Sequence, residues 1–241
     1  MWNKLSTLLL CLLCAWGCLA QTAPVPYTVQ TFAGSAPMGD GGPAINAVLR
    51  FPNAVAFDAG GNLYIADQGN SGIRIVNAGG IISTIAGTGV SGFSGDGGPA
   101  NLAQLGGTIS GLALDNAGNL YIADSSNHRV REVTKADGNI NTVVSAGNLP
   151  QMSASFWPNG LAFDNKGNLY IADDHNSQVY LVTPGGTVSV FAGIGKAGDK
   201  GDEGPANAAA LMEPFGVFAD AAGAVYIADI SASLLRLMPL I

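Results

Sequence analysis

Beyond position 18 the chain has no cysteine: Cys11, Cys14 and Cys18 are the three it contains. Neither a disulfide framework nor a thiolate zinc site is therefore expected to hold the folded domain together. Charge is also scarce. Asp, Glu, Lys and Arg make up 11% of the residues, against roughly 25% in an average soluble chain, and the ten Lys and Arg are scattered without a run. With a formal net charge of −7, such a surface is a poor match for nucleic acid or anionic lipid. The two histidines, His128 and His175, fall short of the three or four ligands a zinc site takes. No Gly-x-Ser-x-Gly elbow or nucleotide-binding glycine fingerprint is present.

Residues 1–20, MWNKLSTLLLCLLCAWGCLA, place one Lys before an apolar stretch and then small residues, the layout of a secretory signal peptide. The apolar stretch is too short for a permanent membrane span. Cleavage after Ala20 would leave a short linker at 21–26 and send the domain to the periplasm or outside the cell. The alternative is a lipoprotein anchored at Cys18, which follows Ala15-Trp16-Gly17.

Glycine, by contrast, is abundant at 34 residues, and the chain repeats. AFDAGGNLYIADQGNSGIRIV from Ala56 recurs as ALDNAGNLYIADSSNHRVREV from Ala113 and AFDNKGNLYIADDHNSQVYLV from Ala162, with FADAAGAVYIADISASLLRL from Phe218 as a fourth copy. The matching tyrosines are Tyr64, Tyr121, Tyr170 and Tyr226 and the matching aspartates Asp67, Asp124, Asp173 and Asp229, so successive copies lie 57, 49 and 56 residues apart. Between copies runs a second element: TVQTFAG at 28–34, ISTIAG at 82–87, NTVVSAG at 141–147 and VSVFAG at 188–193. Each period reads as four short apolar runs divided by Gly, Asn and Asp turns, in the first copy 53–58, 62–67, 73–77 and 81–87. Runs of this length rich in β-branched and aromatic residues are strands, and four antiparallel strands per period make one propeller blade. Strands apolar on both faces suit a sheet covered on each side by a neighbouring blade.

The succession of Pro, a strand ending in Asp, Gly-Asn-Leu-Tyr-Ile-Ala-Asp, then Asn and Arg before another strand resembles the NHL repeat, most closely at Asn127-His128-Arg129. The linking element SGDGGPA at 94–100, varied at 39–44 and 201–206, is similar to one in bacterial NHL proteins. The link from the second to the third copy lacks it. The expected fold is an all-β propeller over 27–241, with repeat cores at about 52–87, 105–147, 157–193 and 214–241 and an outer strand at 27–34. Four copies either close a ring of four through that outer strand or form part of the six-bladed ring usual in the family.

In a blade, the turn between second and third strands and the link to the next blade fall on one end of the toroid. That end gathers Asn70, Asn127, His128, Asp174, His175 and Asn176, the candidate ligand-binding face. The four repeated aspartates read as turn formers accepting backbone amides, with Arg74 and Arg129 placed to pair with them. Pro99 followed by Ala100-Asn101-Leu102 reads as the first turn of a short helix. The expected role is a non-catalytic scaffold for a protein or carbohydrate partner, without a cofactor. The alternative implied by related six-bladed hydrolases is a calcium-dependent hydrolase or lyase with a calcium site of Asn53, Asn159 and Glu213 at the channel mouth, and a third reading is the sensor or adhesion portion of a larger protein.

Overall fold

The computed structural model describes residues 39–150 and 156–238. The leader, the linker at 21–26, Cys18 and the strand expected at 27–34 lie outside the described residues.

The fold is an all-β propeller of four blades. Blade 1 consists of β1 (Pro52–Phe57), β2 (Leu63–Asp67), β3 (Gly72–Val76) and β4 (Ile82–Ala86). A two-residue β5 (Gly98–Pro99) in the following link pairs with the outer strand of blade 2, which comprises β6 (Ile109–Leu114), β7 (Leu120–Asp124), β8 (Arg129–Val133) and β9 (Asn139–Ser145). Blade 3 holds β10 (Pro158–Phe163), β11 (Leu169–Asp173), β12 (Gln178–Val182) and β13 (Val188–Ala192). Blade 4 holds β14 (Pro214–Ala219), β15 (Val225–Asp229) and β16 (Leu234–Met238), which has no outer neighbour among the described residues. All pairings within blades are antiparallel and in sequence order. The expected strands of the first copy match the observed ones to within about a residue at each end.

The both-faces-apolar pattern has the predicted cause. Tyr64, Ala66 and Ile73 of blade 1 pack with Leu112, Leu120 and Ile122 of blade 2. Leu63, Ile65 and Val76, pointing the other way because strand side chains alternate, pack with Ala44, Ala47 and Leu49 of the preceding link. The same arrangement recurs between blades 2 and 3 and between blades 3 and 4. Each link also carries one turn of 3-10 helix, such as Ala100–Leu102, which sets an alanine into the interface.

Inner strands of neighbouring blades come so close that two positions admit no side chain. A Cβ on Gly111 would stand 2.1 Å from the carbonyl oxygen of Asn159, and one on Gly160 would stand 2.7 Å from that of Phe215. Among the described residues no helix is long and apolar enough to cross a membrane.

At the opposite end, Asp58 and Asp164 each close the first hairpin of their blade. They accept the amides of the turn, the side chain of Asn62 or Asn168, and the hydroxyl of Tyr64 or Tyr170. Burial, reinforced by the Asp164 charge and hydrogen bond, pushes the Tyr170 hydroxyl up to about 12. A phenol raised in the folded state stabilises fully below its unfolded value near 10, and this contribution disappears as pH rises through the folded value. Thermal unfolding is therefore expected to fall between about pH 10 and 12, and Tyr170→Phe, followed by circular dichroism, should flatten that fall.

Candidate functional site

The end of the toroid that collects the 2–3 turns is built on the repeated aspartates, all four fully buried. Asp67 accepts the amide of Arg50 at 2.6 Å and the side-chain amide of Asn70 at 2.8 Å. Asp124 accepts the amide of Gly106 at 2.9 Å and Nδ2 of Asn127 at 2.8 Å. Asp173 accepts from Asn176 and from the Trp157 amide, and Asp229 from the amides of Met212 and Glu213. The carboxylates of Asp67, Asp124 and Asp173 thus tie the entry of the first strand to the turn after the second, while that of Asp229 holds the strand entry. Burial raises the Asp124 carboxyl above its usual value, against the pull of Asn127 and Gly106, and raises Asp173 likewise against its Asn176 bonds.

The arginines complete this scheme in a way the spacing concealed. Arg74, facing Ile65 across the β2–β3 pair, bridges Asp67 at 3.3 Å and Asp40 of the link before its blade. The blade 2 equivalent is Arg131, which faces Ile122 and bridges Asp96 at 2.6 Å and Asp124 at 3.9 Å. Arg129 instead donates Nε to the carbonyl of Asn127 and lies 3.6 Å over the Phe93 ring. The expected Arg129 partner of Asp124 is thus corrected to Arg131: the two arginines share one face of the strand, but the Arg129 side chain turns to the Asn127 carbonyl and Phe93, and Arg131 reaches Asp124. Arg236 of blade 4 meets Asp202 at 3.6 Å. The linking aspartate of each SGDGGPA-like element therefore ends on the buried arginine of its own blade. Blade 3, whose link lacks the element, has Tyr180 at that register and needs no counter-ion. Burial opposes ionisation of Asp96, but hydrogen bonds from Thr142 and Arg131 outweigh it and hold the carboxyl below its usual value.

Of the six candidate face residues, Asn70, Asn127 and Asn176 give their side-chain amides to the buried aspartates beneath them. Asp174 has a buried Oδ1 without a hydrogen bond and raises the neighbouring Asp173. The two histidines are brought together by a residue the repeat gave no reason to single out, Trp157. The His175 ring stacks on the indole at 4.9 Å and 19°, and the His128 ring meets it edge-on at 5.2 Å. His175 is exposed, with Trp157 and His128 half-buried. Nδ1 of His128 lies 2.8 Å from the Phe156 carbonyl oxygen. A carbonyl only accepts, so Nδ1 carries the proton and, in the neutral ring, Nε2 is left as an acceptor. His128 itself stands at positive φ, as do Ser71, Ser177 and Ser233 in the other blades.

At the channel mouth, strand register makes Asn53, Ser110, Asn159 and Phe215 equivalent. Glu213 sits two residues earlier than Phe215, at the register of Trp157, and accepts a hydrogen bond from Ser231. Asn53 donates to the Ile109 carbonyl and the buried Asn159 to that of Trp157. Among the described residues no three His, Cys, Asp or Glu side chains are grouped as a metal site would require.

Residues 31–91 match the teneurin NHL domain and residues 108–132 the NHL repeat. No curated protein matches the sequence. Among solved structures the chain is similar to a streptogramin B lyase, with 11% identity, 78% of this chain and 54% of that chain covered, and a TM-score of 0.52. It is equally similar to a catalytically inactive virginiamycin B lyase from Staphylococcus aureus with quinupristin, with 13% identity, 78% and 55% covered, and a TM-score of 0.52. A putative gluconolactonase follows at 16% identity, 73% and 56% covered, and a TM-score of 0.50. The chain thus spans about half the length of these structures, and at such identity the likeness is one of fold. Four repeats in register, each folded into a blade and two segments of them matched by NHL descriptions, make this chain an NHL-repeat β-propeller.

Proposed function

We propose that the protein is an exported binding scaffold whose ligand, a protein or a carbohydrate, docks on the His128–Trp157–His175 platform at the polar end of blades 2 and 3. The supporting observation is the platform itself. An indole flanked by two imidazoles offers a flat π surface on which a sugar ring or planar side chain can stack, and Nε2 of His128 adds an acceptor for a hydroxyl at its rim. The groups around it are fixed by the Asp124 and Asp173 networks, so little ordering is needed on binding. Export rests on the leader-like composition of residues 1–20.

Trp157 is the only tryptophan outside those twenty residues, so its fluorescence reports the platform once they are removed. Screening against oligosaccharides and extracellular protein extracts should find a ligand that shifts this emission. Measured by isothermal titration calorimetry, since the variant lacks the fluorescent reporter, Trp157→Ala should weaken its binding at least about tenfold, or 1.4 kcal/mol, while Asn53→Ala leaves it unchanged. The calcium-dependent alternative predicts instead that calcium raises the melting temperature by linkage and that Asn159→Ala abolishes the rise. That outcome, with Trp157→Ala silent, would sink the platform reading.

A further inference from the structure

The slot between blades 2 and 3, at the end of the toroid away from the His128–Trp157–His175 platform, is chemically unlike its counterparts between the other blades. It is a cavity of about 290 Å³ whose lining includes Tyr121, Glu132, Val143, Phe163, Thr183 and Pro184. Tyr64, Tyr170 and Tyr226 each donate their hydroxyl to the first-hairpin aspartate of their own blade, Asp58, Asp164 or Asp220. Tyr121 donates instead to Oε1 of Glu132 at 3.2 Å. Burial, with the charges of Glu132 and Asp115, raises this hydroxyl above its ordinary value, so the proton stays on the phenol.

Three positions make the difference. Opposite the repeated tyrosine stand Ile75, Leu181 and Leu237 in blades 1, 3 and 4, and Glu132 in blade 2. The residue before the first-hairpin aspartate is Leu114 where blade 2 faces blade 1 and Ala219 where blade 4 faces blade 3, but Phe163 where blade 3 faces blade 2. The Phe163 ring meets that of Tyr121 edge-on, with centroids 4.8 Å apart and planes at 71°. In the turn between third and fourth strands, Pro184 lies against Gly167 as Lys135 lies against Gly118. At matching places the blade 1–2 slot thus has Ile75 and Lys135 where the blade 2–3 slot has Glu132 and Pro184. A cation in the one gives way to a carboxylate in the other.

Glu132 is half-buried, and among the described residues it has no ion pair and its Oε2 accepts no hydrogen bond. A carboxylate drawn from water without a cation is costly. The other polar side chains of the slot are committed: the Tyr121 hydroxyl to Glu132, and that of Thr183 to the Thr187 amide. An ammonium group with three N–H donors would lose more hydrogen bonds to water than it gained here. A quaternary ammonium donates none and asks for negative charge, aromatic faces and apolar contact. We propose that this slot binds the quaternary ammonium head of a small soluble ligand, with the Glu132 carboxylate as counter-ion and Tyr121 and Phe163 as aromatic walls. The flanking turns at 164–167 and 183–187 carry none of the exposed large apolar side chains found among the described residues, so the surroundings suit a ligand in solution and not a lipid headgroup.

The test is a titration of the full chain with choline chloride at constant ionic strength, followed through the protein amides by NMR. Saturable shifts around Glu132, Phe163 and Thr183 are expected, with a dissociation constant on the order of 1 mM. The neutral isostere of choline, with a tert-butyl group in place of trimethylammonium, should bind at least about tenfold more weakly. Glu132→Gln keeps an acceptor for Tyr121 but removes the charge, and should weaken choline binding at least about tenfold with an unchanged circular dichroism spectrum. Pro184→Lys copies the blade 1–2 slot at an exposed position and should do the same by supplying the cation from the chain itself. The proposal is overturned by the absence of saturable shifts up to about 10 mM, by equal binding of the isostere, or by choline binding that Glu132→Gln leaves unchanged. Sedimentation of the chain with phosphatidylcholine vesicles, lost in Glu132→Gln, would equally overturn the assignment of a soluble ligand.

Discussion

Arg131→Ala should lower the unfolding free energy by about 3–5 kcal/mol, the cost of removing one partner from a buried ion pair. The guanidinium holds Asp96 and Asp124 together and donates to the carbonyls of Gln104 and Ser94, each at 2.9 Å. Truncation leaves Asp124 fully buried with its carboxylate deprived of a cation, and leaves two carbonyls without their donor. The wild-type pair need not be strongly stabilising for this to hold, because the penalty lies in the charge left behind. Replacing both members, Arg131→Met with Asp124→Asn, should therefore recover part of the loss, since Asn can still meet the Gly106 amide. Arg129→Ala removes a stack on Phe93 and one hydrogen bond to the Asn127 carbonyl at a half-buried position, leaves no buried charge behind, and should cost about 1–2 kcal/mol. Urea unfolding of the four proteins checks the order; equal losses at 129 and 131 would contradict the assignment.

Gly111→Ala is expected to be comparably severe. Its new Cβ would lie 2.1 Å from the Asn159 carbonyl oxygen and 3.3 Å from the Leu161 amide nitrogen. Both are backbone atoms of the neighbouring inner strand, so no side chain can swing aside and the two blades must separate. Overpacking of a core typically costs 1–3 kcal/mol, and a backbone collision belongs at or above about 3. Gly185→Ala, where the nearest atom is 3.9 Å away and φ is not positive, should stay within about 0.5 kcal/mol of wild type. Differential scanning calorimetry of the pair separates a close-approach role of Gly111 from a general intolerance of alanine.

The positions that repeat were legible, and those that do not were not. Tyr64, Tyr121, Tyr170 and Tyr226 and the aspartates three residues on announced themselves by recurrence, and recurrence is what a blade interior demands. Trp157 had no such signal: its register holds Phe51, Thr108 and Glu213 in the other blades, so nothing marked it until folding set it between two histidines on different blades. Arg129 stands directly opposite Asp124 and on the same strand face as Arg131, and nothing in the sequence shows that its side chain turns instead to Phe93 and the Asn127 carbonyl. The coupling of Asp40 to Arg74 and of Asp96 to Arg131 joins residues about 35 apart, and only the missing element before blade 3, matched by Tyr180, hinted at it in the sequence. Asp58 and Asp164 repeat as faithfully as the aspartates that were noticed, and periodicity alone could have found them.

The left-handed residue that ends each 2–3 turn has a further consequence. Ser71, His128, Ser177 and Ser233 share one backbone conformation, held from below in blades 1 to 3 by an asparagine bound to the buried aspartate. In blades 2 and 3 the side chain at that place also reaches across to the next blade, His128 through Nδ1 to the Phe156 carbonyl and the buried Ser177 through its hydroxyl to that of Met212. One backbone conformation thus serves an imidazole and a hydroxyl alike, and the choice between them sets what the rim of the interface presents. Of the four only Ser233 is exposed, so it is there that new recognition chemistry can be tried with the least disturbance to the architecture.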